Sequence, residues 1–498
     1  MILIFSCCNS INNLKNPNKF NFYTERIHWF NYYQIVKIEK IKENFLKEFC
    51  KKHSIPFVMV HKDDFYIYLK IPENKLKILQ NQFADLTTIK DFPFIWWDSD
   101  LKNRKNSFLR NIINGYKDYE AVLQILNYLK SKYPDYIKIQ ELGKSYKNKS
   151  IFLIHLTNHK NSHPYKIPIY FNAAHHGNEI LTIEYILDMI FLLLGESYID
   201  LPESLKNFQG NLLIQIPEEI RNQILNSLDI FIIPIVNPDG LENFWYKSII
   251  EGRKNARKVD LNRNYPFNWK SSSFNASSSE IESYNYRGIY GSSEKEIQYI
   301  INFLKQNPCS FGISYHTYAK KVLVPYTIDF VWNPIPDRAY YFAKKLLNDS
   351  YSFRREPYLL TRKLYSVDGT DQDWIYNEIG CIAYIVEGSM NTPIFPIAMY
   401  SIVGIRNIWY NLLNIAMKEN RIEIEFYYNN QFVKPEIEIL NYKFFEKEQF
   451  YFYHNRWIFY LGPIKELIIK TKFHQIEKIF HFYCISSICR EKIYLTKD

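Results

Sequence analysis

Ile167-Pro-Ile-Tyr-Phe-Asn-Ala-Ala-His-His-Gly-Asn-Glu179 runs into Ile180-Leu-Thr-Ile-Glu-Tyr-Ile-Leu-Asp-Met-Ile-Phe-Leu-Leu-Leu194, and these 28 residues set the architecture. The run over 167–174 is short, apolar and closed by polar residues, which predicts a buried strand. The run over 180–194 holds only two charges, Glu184 and Asp188, among mostly apolar neighbours. It falls short of the roughly 18 residues of a membrane span and predicts a buried amphipathic helix. A strand feeding a helix is the unit of an α/β sheet. His175, His176, Asn178 and Glu179 stand at the junction, where apolar packing has no use for them.

The same alternation extends on both sides. A helix is expected over 119–133 and apolar strands over 151–156, 230–236, 311–315 and 382–386. Together they predict an α/β domain over 115–418, a central mixed sheet flanked by helices. In such sheets, sites form in the crevice beyond the carboxyl ends of the strands. The serine-rich stretch 271–283 reads as a surface insertion. Residues 31–100 order as strand (34–41), helix (43–53), hairpin (56–60 and 65–71), helix (75–83) and extended segment (87–92). That order suits a small ferredoxin-like α+β domain. A polar linker over 101–114 follows, with Lys102, Arg104, Lys105 and Arg110. From 419 to 498 the pattern has period two with no credible helix, predicting an all-β sandwich module.

Composition permits an enzyme and names none. The 498 residues have room for about three domains at roughly 150 residues each. Hydrophobic residues at 47% and charged residues at 23% rule out a disordered or fibrous chain. Lys and Arg number 62 against 52 Asp and Glu, a mild excess without a run of five basic residues, so no nucleic-acid partner is expected. Seven cysteines are too few and too scattered for a disulfide framework. Cys484 and Cys489 either pair across a hairpin or stay buried thiols. Met1-Ile-Leu-Ile-Phe-Ser-Cys7 is similar to the tail of a lipoprotein signal without a basic start. Residues 1–30 are therefore either a truncated export signal and tail, with a lipid anchor at Cys7, or carry no such meaning. An extracytoplasmic location, secreted or at the cell envelope, is expected with an upstream signal and a cytoplasmic one without it.

Three strand ends carry chemistry. His176 and Glu179, three apart on the expected first helical turn, can share one cation. Taken alone the pair is weak, because 12 histidines make about one H-x-x-E expected by chance. His316 directly follows the strand Phe311-Gly-Ile-Ser-Tyr315. Two imidazoles and a carboxylate with a fourth position open form a ligand set of hydrolytic rather than structural zinc. A lone strand-end histidine is more often a hydrogen-bonded loop residue, so the context decides.

That context is Gly252-Arg-Lys-Asn255, Val259-Asp-Leu-Asn-Arg-Asn-Tyr-Pro266 and Asn237-Pro-Asp-Gly240, then Tyr286-Arg-Gly-Ile-Tyr-Gly-Ser-Ser-Glu294, Tyr365, Asp373-Trp374 and Glu387. With these residues the chain resembles the zinc metallocarboxypeptidases of the carboxypeptidase A/B-like family over about 300 residues, 115–418. The resemblance implies a carboxypeptidase-like fold, one Zn2+ per chain, and peptide or protein C-termini as substrate. It assigns His176, Glu179 and His316 to the metal, and Glu387 to the proton of the attacking water. Arg253 falls to the oxyanion, Asn262, Arg263 and Tyr365 to the terminal carboxylate, and Gln372 to the floor of the side-chain pocket, with Val367 and Leu360 as walls. Gln372 is neither an acidic nor an apolar floor; a neutral terminal side chain is expected, while Asp371 keeps a basic one open. Pro238-Asp239-Gly240 reads as turn chemistry.

The 31–100 domain resembles the prosegments of some of these peptidases, either removed near Arg104 or retained. The C-terminal module is similar in position and strand content to the transthyretin-like domain of one branch. Two alternatives stand beside the peptide carboxypeptidase. One is a γ-D-glutamyl-diamino acid cell-wall peptidase, since Asn255-Ala256-Arg257 also fits that branch. The other is a catalytically silent zinc-containing binding protein.

Overall fold

The structure, a computed structural model, describes residues 33–55, 58–62, 66–88, 116–161, 163–199, 212–246, 252–273, 275–352, 356–390, 395–442, 452–483 and 488–496. The expected leader and Cys7, the 101–114 linker and Cys484 lie outside these residues. The described chain divides into two compact units.

The smaller unit follows the expected order. Strand β1 (Tyr33–Glu39) leads to the helix Glu43–Lys52, β2 (Val58–Lys62), β3 (Tyr66–Pro72), the helix Glu73–Gln82 and β4 (Thr87–Thr88). The sheet is antiparallel with order β2-β3-β1-β4. Val36 and Ile38, and Ile67, Leu69 and Ile71, alternate along their strands. One face therefore buries against Leu46, Cys50 and Leu79 of the two helices.

The larger unit is built on an eight-stranded mixed sheet. Its strands are β5 (Ile137–Lys144), β6 (Ser150–Leu156), β7 (Ile167–Asn172), β8 (Leu228–Ile233), β9 (Phe311–Thr317), β10 (Lys321–Leu323), β11 (Leu359–Thr361) and β12 (Ile382–Gly388). The order is β11-β10-β12-β9-β7-β8-β6-β5. Strands β12, β9, β7 and β8 run parallel, so their carboxyl ends share one edge. These central strands are buried along nearly their whole length, as continuous apolar runs predict.

The helices Leu181–Leu193 and Phe395–Lys418 pack on each other and on β9. Every residue of the first is buried, including its two acids. Glu184 accepts from Lys117 Nζ (3.0 Å), Lys117 N (3.0 Å) and the Tyr198 hydroxyl (2.5 Å). Asp188 takes both arms of Arg406, at 2.8 and 2.7 Å. Paired and hydrogen-bonded in this way, the charges are tolerated in the core.

Cys309 and Cys381 form a disulfide. Their 72-residue separation hides the pairing in the sequence. They meet because each precedes one of two neighbouring parallel strands, in the register Phe311↔Ile382.

The C-terminal residues form two sheets. One has order β14 (Gln431–Phe432), β13 (Arg421–Tyr428), β17 (Arg456–Tyr460), β16 (Phe452–Tyr453), with β20 (Ile488–Tyr494) parallel to β13. The other has order β15 (Glu436–Ile439), β18 (Glu466–Phe473), β19 (Ile476–Tyr483). Ile422, Ile424, Trp457 and Phe459 of one sheet share a core with Ile439, Leu467 and Ile469 of the other, making a sandwich. It is fastened to the central sheet by Tyr453, whose hydroxyl donates to Asp229 Oδ2 (2.8 Å), and by Arg456, which donates to Lys166 O (2.9 Å).

Candidate active site

The shared edge of β7, β9 and β12 collects the polar residues the sequence singles out. His175 to Glu179 follow β7, while His316 and Glu387 are paired in register near the ends of β9 and β12. His176 and Glu179 do not sit on a helical turn as expected. The helix begins at Leu181, and the two residues lie on the tight turn before it, closed by Glu179 N–H donating to His176 O (3.0 Å). A Cβ at Gly177 would come within 2.1 Å of Leu241 N, so this turn packs where only glycine fits.

The turn still brings the ligand candidates together. His176 Nδ1 is 2.7 Å from Glu179 Oε1 and His316 Nδ1 is 3.0 Å from Glu179 Oε2. One ligand atom from each lies within 4.8 Å of the others. Burial pushes the Glu179 carboxyl upward, but the two imidazoles hold it well below the ordinary carboxylate range. A buried, ionised carboxylate between two Nδ1 atoms is a donor set that suits a divalent cation. The outer ring nitrogen of His176 is engaged as metal-ligating imidazoles usually are, 3.0 Å from Asp260 Oδ1. The residues present therefore fit a zinc ion.

Asp260 does more than orient His176. Its Oδ2 accepts from Arg253 Nε (3.1 Å) and Nη2 (2.6 Å), and its Oδ1 accepts from Asn262 N (3.1 Å), capping the short turn Leu261–Arg263. One carboxylate thus holds a ligand candidate, the arginine beside it and the short turn that carries Asn262 and Arg263. The sequence shows Asp260 within a quoted motif but gives it no role.

Asn262 is oriented by Asp371 N, which donates to its Oδ1 (2.9 Å). Arg263 is buried, donating through Nη1 to Asn262 O (2.7 Å) and through Nε to Ala276 O (3.2 Å). Its Nη2 is 3.4 Å from the hydroxyl of Tyr365, which is 58% exposed. The loop carrying Tyr365 is tied to the serine-rich stretch: Ser271 N and Oγ donate to Asp368 Oδ2 (2.9 Å each), and Ser273 Oγ meets Ser366 Oγ (2.6 Å). That stretch braces the site and is not a bare surface insertion.

These side chains open on one cleft of about 290 Å3. Its lining includes His176, Glu179, His316, Arg253, Asn262, Arg263, Tyr365 and Glu387. Burial, with Glu179 adding to it, pushes the Glu387 carboxyl up to about 7 against the pull of His316 and the two arginines. Leu323, Thr327, Val367, Thr370 and Ile385 also line the cleft wall, as do Tyr284 and Lys363.

Gln372 is not on that wall. It is fully buried and donates through Nε2 to Thr327 Oγ1 (2.9 Å), which in turn donates to Asp373 Oδ2 (2.8 Å). Its influence on a ligand therefore passes through Thr327. Of the expected walls, Val367 lines the cleft while Leu360 does not. Asp371 is buried, accepting from Asn172 Nδ2 (3.2 Å) and Gln372 N (2.7 Å). Pro238-Asp239-Gly240 is the first turn of the helix Pro238–Tyr246, capped by Asn237 Oδ1 accepting from Gly240 N (2.8 Å).

The result is a buried two-histidine, one-carboxylate centre at a sheet crevice that could hold a metal ion, with a second carboxylate and two arginines lining the same cleft. The chain belongs to the zinc carboxypeptidase family, metalloproteases whose match spans residues 122–403. Carboxypeptidase A6 of Mus musculus is 23% identical over 275 residues, 52% of this chain and 57% of that protein, so the chain spans little more than half that relative's length. The inactive metallocarboxypeptidase ECM14 of Saccharomyces cerevisiae is 23% identical over 224 residues, 43% of this chain and 47% of that one. Among solved structures, thrombin activatable fibrinolysis inhibitor shares the fold at a TM-score of 0.50 and 18% identity, over 78% of this chain and 97% of that one. Among the described residues no helix is long and apolar enough to cross a membrane.

Proposed function

We propose that this chain is an active zinc-dependent exopeptidase that hydrolyses the C-terminal peptide bond of peptides or proteins. The observation that carries the reading is one cleft lined by the metal-ligand set, Glu387, and the Arg263–Tyr365 pair. Membership alone does not decide activity, since one relative is named as inactive.

Arg263 presents a buried guanidinium fork to the substrate's terminal carboxylate, with Asn262 and the Tyr365 hydroxyl as further donors. Bound zinc would lower the pKa of a water molecule and polarise the scissile carbonyl. Glu387, raised by burial to about 7, takes the proton of the attacking water and returns it to the departing amine. Arg253, gripped by Asp260, donates to the carbonyl oxygen as negative charge builds. The terminal side chain enters between Val367, Ile385, Leu323, Thr327 and Thr370, and the carboxylates of Asp371 and Asp373 stay behind that wall. A neutral terminal residue is favoured over a basic one. The Cys309–Cys381 disulfide supports an oxidising, extracytoplasmic location.

Zinc-loaded protein on a library of free-C-terminus peptides tests the reading, with Glu387→Gln as control. Release of single residues, lost with chelator and in the variant, supports it. Bound zinc without release contradicts it, and cleavage of peptidoglycan stem peptides instead would favour the cell-wall alternative.

A further inference from the structure

Arg253 is restrained at its edge and on its face, and its Nη1 also lies 3.2 Å from His176 Nδ1 along the edge. Asp260 holds its Nε and Nη2 within the plane of the guanidinium, and such edge contacts leave tilt out of that plane free. The second restraint comes from Tyr284, whose ring centroid lies 4.1 Å from Arg253 Cζ. Stacking of a guanidinium on an aromatic face opposes that tilt.

Tyr284 is put there by the basic residues that follow Arg253. Lys254 Nζ donates to Ile281 O (2.9 Å) and Ser283 O (2.8 Å), on the N-terminal side of Tyr284. Lys258 Nζ pairs with Glu282 Oε1 (2.6 Å), and Asp260 N–H donates to Tyr286 O (2.8 Å). The segment 281–286 is thus laced to 254–260 on both sides of Tyr284. Although one side of its ring is committed to Arg253, Tyr284 is 57% exposed and lines the cleft.

The cleft fixes a direction for substrate. The terminal carboxylate belongs at Arg263 and Tyr365, and the scissile carbonyl between the metal ligands and Arg253. A peptide laid along that line continues past Arg253, whose guanidinium the Tyr284 ring covers within the same cleft. We propose that Tyr284 is a positioning and specificity-determining residue: it holds the Arg253 guanidinium in the plane that meets the scissile carbonyl, and its open face receives the side chain of the residue on the acyl side of the scissile bond, with aromatic residues preferred. This rests on the carboxypeptidase reading.

The test uses the full chain with Tyr284→Ala and Tyr284→Phe. The first readout needs no turnover: the rate at which phenylglyoxal modifies Arg253, followed by peptide mass mapping. Tyr284→Ala is expected to raise that rate at least about threefold and Tyr284→Phe to leave it near wild type, because the ring face supplies the restraint. The second readout is kcat/KM on two peptides that differ only in Phe or Ala before the same terminal residue. Wild type should favour Phe by about tenfold, the scale of one added apolar contact, and Tyr284→Ala should lower kcat and bring the ratio near one. Tyr284→Phe should restore both. Unchanged modification rate and unchanged ratio in Tyr284→Ala, or a Phe variant that behaves like the Ala variant, would overturn the proposal. Should wild type with bound zinc cleave neither peptide, the carboxypeptidase reading falls with the substrate preference, while the modification rates still decide the positioning claim.

Discussion

Asp260→Asn removes one charge with almost no change in volume, and its consequences can be worked through contact by contact. The carboxylate is 3.0 Å from His176 Nε2 and accepts from Arg253 at 3.1 and 2.6 Å and from Asn262 N at 3.1 Å. Asparagine has one acceptor oxygen for all of these donors, and its amide group must point a donor at the others. Loss of the outer partner of a ligand imidazole weakens metal binding by about 10–100-fold, or roughly 1.4–2.7 kcal/mol. Arg253 is buried and would lose its hydrogen-bonded carboxylate, keeping Glu179 at 3.9 Å, so the metal-free protein should lose stability as well, by up to about 3–5 kcal/mol. Zinc affinity is measured by competition with a chromophoric chelator, and stability by thermal unfolding of metal-free protein. The predicted result is a Kd raised at least about tenfold together with a lower metal-free Tm. A Kd within about threefold of wild type would refute the view that Asp260 organises the centre.

Further outcomes follow from the core and the cleft walls. Asp188→Ala leaves Arg406 buried without its carboxylate and should cost about 3–5 kcal/mol in urea unfolding, most of it regained in the double variant Asp188→Leu/Arg406→Met. Burial, with Glu294 and Asp239 nearby, pushes Glu296 from an ordinary 4.5 up to about 8. Between those values the folded state holds a proton that the unfolded state has released. Its contribution is therefore complete below pH 4.5 and lost as pH rises through 8, so Glu296→Gln should flatten the decline in Tm across that window. Gly369 has φ +61° and a Cβ there would lie 2.4 Å from Arg263 O, so Gly369→Ala should displace Arg263 and raise KM for free-C-terminus peptides more than it lowers kcat.

What the sequence made legible follows from burial. β7, β9 and β12 are apolar on both faces and stand out as short continuous runs, and the helix after β7 is apolar all round. Strand β5 at the sheet edge carries Lys138, Gln140 and Glu141 on a half-exposed surface, and its composition does not mark a strand. β10 and β11 are three residues each, below the length at which periodicity can be read. In the site, His176, Glu179, His316 and Glu387 were visible because each ends an apolar run with a residue packing does not require. Asp260 was in view without a role, since its contact with His176, 84 residues away in the chain, appears only in the fold. Tyr284 gave no signal at all: one tyrosine among 41, just after a serine-rich stretch, acquires its position from Lys254 and Lys258. Gln372 was placed in the right neighbourhood but one layer too far forward, because sequence order does not show that Thr327 stands in front of it.

The central claim is that the cleft reads a free C-terminal carboxylate through Arg263 and Tyr365. Its most direct test is a set of paired peptides, identical except for a free or amidated C-terminus, incubated with zinc-loaded protein and followed by mass spectrometry. The account predicts loss of one terminal residue from the free peptides and at least about a hundredfold slower reaction of the amides, since a buried fork left unpaired discriminates on that scale or more. Equal cleavage of both members, or cleavage at internal bonds, would contradict it.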